Sequence, residues 1–177
     1  MADSGASLMR VRVRLATAQD MHHVHKMIQE LAEYEGYPDG LELTVEDLVH
    51  DGFEAQPPWF FVLLAELEGD GEGEGAGREP LGQALCSRAY SSWTRRAFYI
   101  EDLYVRPRVR RAGVGLALVR ELARMALAEG AGRVDWHVQL ANEGARAFYA
   151  RLGARDLRDS EGRAALRLDA PAIRALA

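Results

Sequence analysis

The sequence predicts an α/β fold: a mixed, mostly antiparallel sheet flanked by helices. Three observations lead there. Short apolar runs with a two-residue period alternate along the chain with segments whose apolar residues recur at helical spacing. Two long strand-like runs in the middle, Leu81 to Tyr90 and Ala97 to Val105, are joined through Ser91, Ser92, Trp93 and Thr94, short enough for an antiparallel hairpin. Glycines after the second run then lead into a helical pattern. The length of 177 residues suits one domain, 1–177, with a disordered tail at 1–9.

The elements follow in order. Arg10 to Leu15 alternates Arg with Val11, Val13 and Leu15, as in a strand with one buried face. Thr17 and Asp20 give a helix-start signal, and Met21, Val24, Ile28 and Leu31 continue at helical spacing to about Tyr34. Thr44 and Asp47 repeat that signal for a short helix over Val45 to His50, and Phe60 to Leu67 reads as a buried strand. The segment 69–79 holds five glycines and four acids and reads as a flexible acidic loop. The central hairpin ends at Arg106 and Pro107. Leu116, Val119, Leu122, Ala123 and Ala126 then mark a helix that stops at Gly130. Val134 to Val138 is a strand, Asn142 caps a helix to Leu152 with Gly153 beyond it, and Ala164 to Leu168 alternates as a last strand.

Composition narrows the function. The net charge is −5, with 8 Lys+Arg against 17 Asp+Glu in residues 1–99 and 14 against 10 in 100–177. An acidic half attracts cations and a basic half polyanions. A pI near 5.6 argues against a nucleic-acid binder. The longest apolar run, Trp59 to Ala65, is seven residues, far short of a membrane span or a signal peptide core. The single cysteine, Cys86, excludes an internal disulfide or a Cys-rich zinc site and points to the cytosol. Of the histidines 22, 23 and 25, only His22 and His25 share a helix face, so surface residues are expected and no metal site.

The segment Arg110-Arg111-Ala112-Gly113-Val114-Gly115 lies between a strand and a helix, where backbone N–H groups and the helix dipole favour an anion. Arg106, Arg108, Arg110 and Arg111 gather four guanidiniums beside it, and a diphosphate is the natural guest. It lacks the Gly-Lys-Ser/Thr ending of a Walker loop and the third glycine of the dinucleotide fingerprint. Glu101 and Asp102 interrupt an otherwise apolar strand, and neighbouring strand residues face opposite sides, so one of them enters the helix-covered core or a cleft. A carboxylate there can hold an ammonium group, or simply close a salt bridge near Arg106. Tyr149 is a candidate proton donor, although spacing alone favours an aromatic core residue beside Phe148.

On these residues the chain resembles the GNAT acyl-CoA N-acyltransferases. Arg110 to Gly115 is similar to their pyrophosphate loop, and Asn142, Phe148, Tyr149 and Leu152-Gly153-Ala154 to their second signature. Glu30-Leu31-Ala32-Glu33-Tyr34-Glu35, Asp51-Gly52-Phe53, Tyr99-Ile100-Glu101-Asp102 and Ser160-Glu161-Gly162 are similar to segments of the diamine acetyltransferases, the spermidine/spermine and thialysine types. The likeness runs from about Val11 to Leu168.

The resemblance implies acetyl-CoA as cosubstrate, held by Leu103, Tyr104, Val105, Arg110, Arg111, Ala112, Gly113, Val114, Gly115, Leu116 and Asn142, with pantetheine lying along the Leu103 to Val105 strand. It also implies Tyr149 as the general acid for the departing thiolate and Glu101 as the proton relay. Tyr34, Glu35, Glu101 and a Glu161 in a last hairpin form the amine wall. A small amine substrate, a homodimer and no nucleic-acid or membrane partner go with it. Ser91, in place of an acid, and Arg163, in place of an aromatic residue, depart from the polyamine-specific pattern. Two other readings stay open: acetylation of a protein or peptide amino group, and a non-catalytic coenzyme-binding module.

Overall fold

The computed structural model describes residues 9–68 and 79–177. Most of the expected tail and acidic loop therefore lies outside the described residues. Met9 packs against the core, and Glu79 is tied by ion pairs. The chain divides into two compact units, Met1–His137 and Val138–Ala177.

The first unit holds a five-stranded sheet of β1 (Val11–Leu15), β2 (Phe61–Leu67), β3 (Gly82–Ser91), β4 (Arg95–Val105) and β5 (Arg133–Trp136), in that spatial order. The first three pairings are antiparallel and β4 pairs with β5 in parallel, so the expected mixed, mostly antiparallel sheet is what forms. Helices α1 (Met21–Glu35) and α2 (Val45–Val49) belong to one face, and α3 (Val114–Glu129) to the other. Leu63, Ala65, Ala84, Cys86, Phe98 and Ile100 pack with Leu118, Leu122 and Ala126 of α3. Val62, Leu64, Leu85 and Tyr104 pack with Met21, Val24, Met27 and Ile28 of α1. The alternation of β2 is thus buried on both sides, which is why its sequence reads as a continuous apolar run.

The helix-start signals act as expected, with one refinement. Thr17 and Asp20 form a capping box around a 3₁₀ turn, Ala18–Asp20, from which α1 continues. Thr44 caps α2 through the Asp47 N–H, and a single π turn, His50–Glu54, follows. Gly82 has no room for a side chain, since a Cβ there would meet the Tyr104 carbonyl oxygen at 2.5 Å.

The second unit contains α4 (Glu143–Arg151), α5 (Leu157–Glu161) and α6 (Ala170–Leu176). Two expectations are corrected here. Ala164 to Leu168 is not a strand: it pairs with none of the described residues, and Leu166 is 95% exposed. Alternation supplies an amphipathic edge, but a strand also needs a partner ladder. Glu161 accordingly lies not in a hairpin but at the end of α5, which Gly162 terminates in the left-handed region (φ 65°). Among the described residues, no helix is long and apolar enough to cross a membrane.

Candidate active site

The sheet is irregular where the chemistry was expected. Cys86 pairs with Ile100 and Leu85 with Asp102, so Glu101 is an extra residue, a β-bulge in β4. The bulge changes which residues share a face. Ile100 and Leu103 both turn to α3, while Asp102, two residues before the α1-facing Tyr104, follows it in the alternation. Glu101 is exposed and Asp102 half-buried, so the carboxylate that enters the covered face is Asp102. Sequence reasoning offered the pair; the choice within it depends on the bulge, which has no signal of its own in the sequence.

Beyond the bulge the strands part. β5 pairs with β4 only over Ala97 to Ile100. The Arg106 N–H donates to the Leu81 carbonyl at 3.0 Å, in register with the β3–β4 ladder. Bonded pairs alternate in an antiparallel ladder, so Tyr104 and Asp102 turn their backbone groups to β3, and Leu103 and Val105 turn theirs to the opposite edge. No strand among the described residues pairs with that edge. Of the three residues expected to hold pantetheine, Leu103 and Val105 therefore present free-edge backbone, whereas the Tyr104 backbone faces β3 and its side chain is buried under α1.

Asp102 carries the electrostatic signature of the site. Burial pushes its carboxyl up to about 6, with the charges of Glu35 and Glu101 adding to the effect. Among the described residues, none of these three carboxylates makes an ion pair or side-chain hydrogen bond. The folded chain holds the Asp102 proton more tightly than the unfolded chain does. This contribution to stability is therefore fully present below pH ~4 and is lost as the pH rises through about 6. Asp102→Asn is expected to stabilise the fold by about 1–3 kcal/mol at pH 8 and by much less at pH 4. Denaturant midpoints at the two pH values check this, and an equal effect at both refutes the charged-state argument.

Next to the free edge lies a groove of ≈ 580 Å³ between the end of α1 and the turn after β4, lined by Glu30, Glu33, Tyr34, Tyr104, Arg106, Pro107, Arg108 and Arg110. Buried Arg106 organises it. Its Nη1 bonds Glu30 at 2.8 Å and Glu79 at 2.9 Å, and its Nε donates to the Pro80 carbonyl at 2.9 Å. Of the four arginines expected around an anion, Arg106 is thus already neutralised, and Arg108 also pairs with Glu79 at 3.1 Å. Arg110 sits over the Tyr34 ring. Gly113, at φ +90°, turns the chain into α3 without a side-chain cap, so no capping side chain meets the first N–H groups of that helix. Arg111 precedes it, also at positive φ (65°). Ala112 lies in the same turn, and Val114, Gly115 and Leu116 form the first turn of α3.

The remaining site residues lie in the second unit. Asn142 uses its side-chain oxygen to accept the Ala145 N–H at 3.1 Å, capping α4. Tyr149 is half-buried on that helix, and burial pushes its phenol up to about 12. Glu161 is held by Arg155 at 3.1 Å and by Arg163 at 3.0 Å, so two guanidiniums already compensate its charge. Ser91 is buried, and its hydroxyl oxygen accepts the N–H groups of Trp93 and Thr94, closing the β3–β4 turn. Cys86 is buried and its thiol is pushed up to about 12 by burial, which keeps it from acting as a thiolate nucleophile. Among the described residues, no cluster of three or more His, Cys, Asp or Glu is placed to hold a metal ion. His22 and His25 instead bond the carbonyls of Gln19 and Leu43.

Comparison with known proteins identifies the family and agrees with the fold. A pig thialysine N-epsilon-acetyltransferase is 38% identical over 94% of this chain and 97% of its own length. The mouse protein of that name is 37% identical over 94% and 96%. A human spermidine/spermine N(1)-acetyltransferase-like protein 1 is 32% identical over 85% of this chain, which covers 21% of that longer protein. Among solved structures, an integron cassette protein from the mobile metagenome of V. cholerae superposes with a TM-score of 0.71 at 21% identity, covering 95% of this chain and 98% of the other. The model of the acetyltransferase (GNAT) family matches residues 21–154. A bulged, splayed sheet and a glycine turn into α3 thus occur in a chain that belongs to the acetyltransferase (GNAT) family.

Proposed function

We propose that this N-acetyltransferase moves the acetyl group of acetyl-CoA onto the amino group of a small diamine or thialysine-like amino acid, as a cytosolic homodimer. The observation that carries the substrate class is the set of three carboxylates, Glu35, Glu101 and Asp102, that have no cationic partner among the described residues and lie beside the free edge of β4. The names of the relatives support it.

The chain's own residues suit each task. Leu103 and Val105 offer backbone donors and acceptors to an amide-bearing arm, in the manner of an added strand. Their N–H groups also suit polarisation of an acetyl carbonyl. Arg110, Arg111, the Gly113 turn with Ala112, and the first turn of α3 from Val114 to Leu116 suit the diphosphate, with Asn142 assigned to the coenzyme by resemblance. When bound, the coenzyme supplies an activated thioester. The incoming ammonium must lose a proton before its lone pair can attack, and Glu101, backed by Asp102, takes it through water. Tyr149 gives its proton to the departing sulfur. Tyr34 and Glu35 complete the amine wall. Glu161 contributes less charge than its sequence suggests because Arg155 and Arg163 hold it.

Selectivity follows from the same count. Spermine is expected to be a poor substrate relative to thialysine or a short diamine. Each distal cation of a long polyamine needs an acceptor, but Ser91 stands where the polyamine-specific pattern has an acid, and the Glu161 charge is already compensated by Arg155 and Arg163. Incubation with acetyl-CoA and a panel of diamines, lysine analogues, spermine and peptides, with free thiol as readout, decides the class. A preference for spermine overturns the selectivity argument. Turnover of peptides alone favours the protein-acetylating reading, and coenzyme binding without any turnover the non-catalytic one.

A further inference from the structure

Arg110 occupies a position at odds with a simple role as a diphosphate ligand. Its Nε donates to the Val105 carbonyl at 2.9 Å, and its guanidinium lies over the ring of Tyr34 at 4.7 Å and near that of Tyr104 at 5.8 Å. The Val105 carbonyl lies on the free edge of β4. Tyr34 stands in the last turn of α1, beside Glu35, and is 55% exposed. One side chain thus covers an acceptor that an added strand would use and the aromatic face of the amine wall.

We propose that Arg110 is a two-position side chain that couples the two substrates: stacked on Tyr34 and bonded to the Val105 carbonyl in the free protein, and drawn off both when a diphosphate binds. The inference rests on the acetyl-CoA reading above and adds to it an order of events. A dianionic diphosphate meets the guanidinium with a full opposite charge and can take it bidentately, which a neutral carbonyl cannot, so it outcompetes the Val105 oxygen for the guanidinium. Movement of Arg110 then frees the Val105 edge for the amide-bearing arm and the Tyr34 face for a cationic amine. Coenzyme binding therefore prepares the amine wall, and an amine that arrives first must compete with a guanidinium for the same ring.

Contacts made only in the free protein oppose ligand binding, because a ligand shifts an equilibrium by its differential affinity for the two states. Removing the Tyr34 ring should therefore tighten the binding of CoA, whereas loss of an ordinary contact residue would weaken it or do nothing.

The test is a calorimetric titration of the full chain with CoA. Tyr34→Leu is expected to bind CoA about two- to fivefold more tightly than the wild type, the range of an exposed cation–π contact. Tyr34→Phe, which keeps the ring, should match the wild type. Arg110→Gln should bind more weakly, and adding Tyr34→Leu to it should change nothing further. In the wild type, thialysine should bind about two- to fivefold more tightly with CoA present than without. Unchanged or weaker CoA binding by a folded Tyr34→Leu variant overturns the proposal, as does the same tightening in the Arg110→Gln background. A wild type that binds no CoA fails differently: it removes the acetyl-CoA reading itself.

Discussion

Replacement of Tyr149 by Phe is expected to lower kcat by about 100- to 10,000-fold while leaving coenzyme affinity unchanged. The substitution removes one hydroxyl and keeps the ring, so packing on α4 is preserved. A phenol is protonated at neutral pH and so has a proton to give, and burial, which pushes this one up to about 12, keeps it in that form. A thiolate leaving group needs that proton at the moment the carbon–sulfur bond breaks, and water reaches a half-buried position poorly. Steady-state rates with acetyl-CoA and thialysine, together with calorimetric titration with CoA, measure the two quantities separately. A wild-type kcat in the variant, under conditions where chemistry limits the rate, returns Tyr149 to a packing role beside Phe148, whose ring centroid lies 5.3 Å away.

The second large effect is expected at Gly113, where Val should abolish CoA binding. The residue sits at φ +90°, a conformation that a β-branched side chain does not adopt without strain of about 1–2 kcal/mol. Nothing lies within 4 Å of a Cβ built there, so the free protein offers no internal clash. The loss instead comes from two other sources: the turn relaxes to negative φ and misdirects the N–H groups at the start of α3, and the branched side chain stands where a phosphate must approach. A small drop in Tm with complete loss of CoA heat is the expected pattern. Retained binding in a folded Gly113→Val protein removes the coenzyme from this turn.

The residues that could be read in advance are those whose signal is local. The capping pairs Thr17/Asp20 and Thr44/Asp47, the two-sided burial of Phe61 to Leu67, the stop of α3 at Gly130 and the Asn142 cap of α4 all follow from neighbours within four or five positions. The glycine turn at Gly113 was legible for the same reason. Ala164 to Leu168 shows where local signal stops: the alternation is genuine, yet with no partner ladder the segment remains unpaired. Ser91 carries a similar lesson, because its hydroxyl is spent on the turn that the sequence placed it in.

By itself the sequence determined the order of elements as far as α4, the sheet's antiparallel centre, the glycine turn into α3 and the pair Glu101-Asp102, because each depends on residue chemistry over a short span. Only the tertiary structure decided which acid enters the covered face, which edge of β4 stays open, and what already holds the candidate charges. The bulge at Glu101 is a property of two strands in register rather than of one. The partners of Arg106, Glu30 and Glu79, lie 76 and 27 positions away along the chain. Pairings over such distances exist only once the sheet and α1 have assembled, and no local rule carries them.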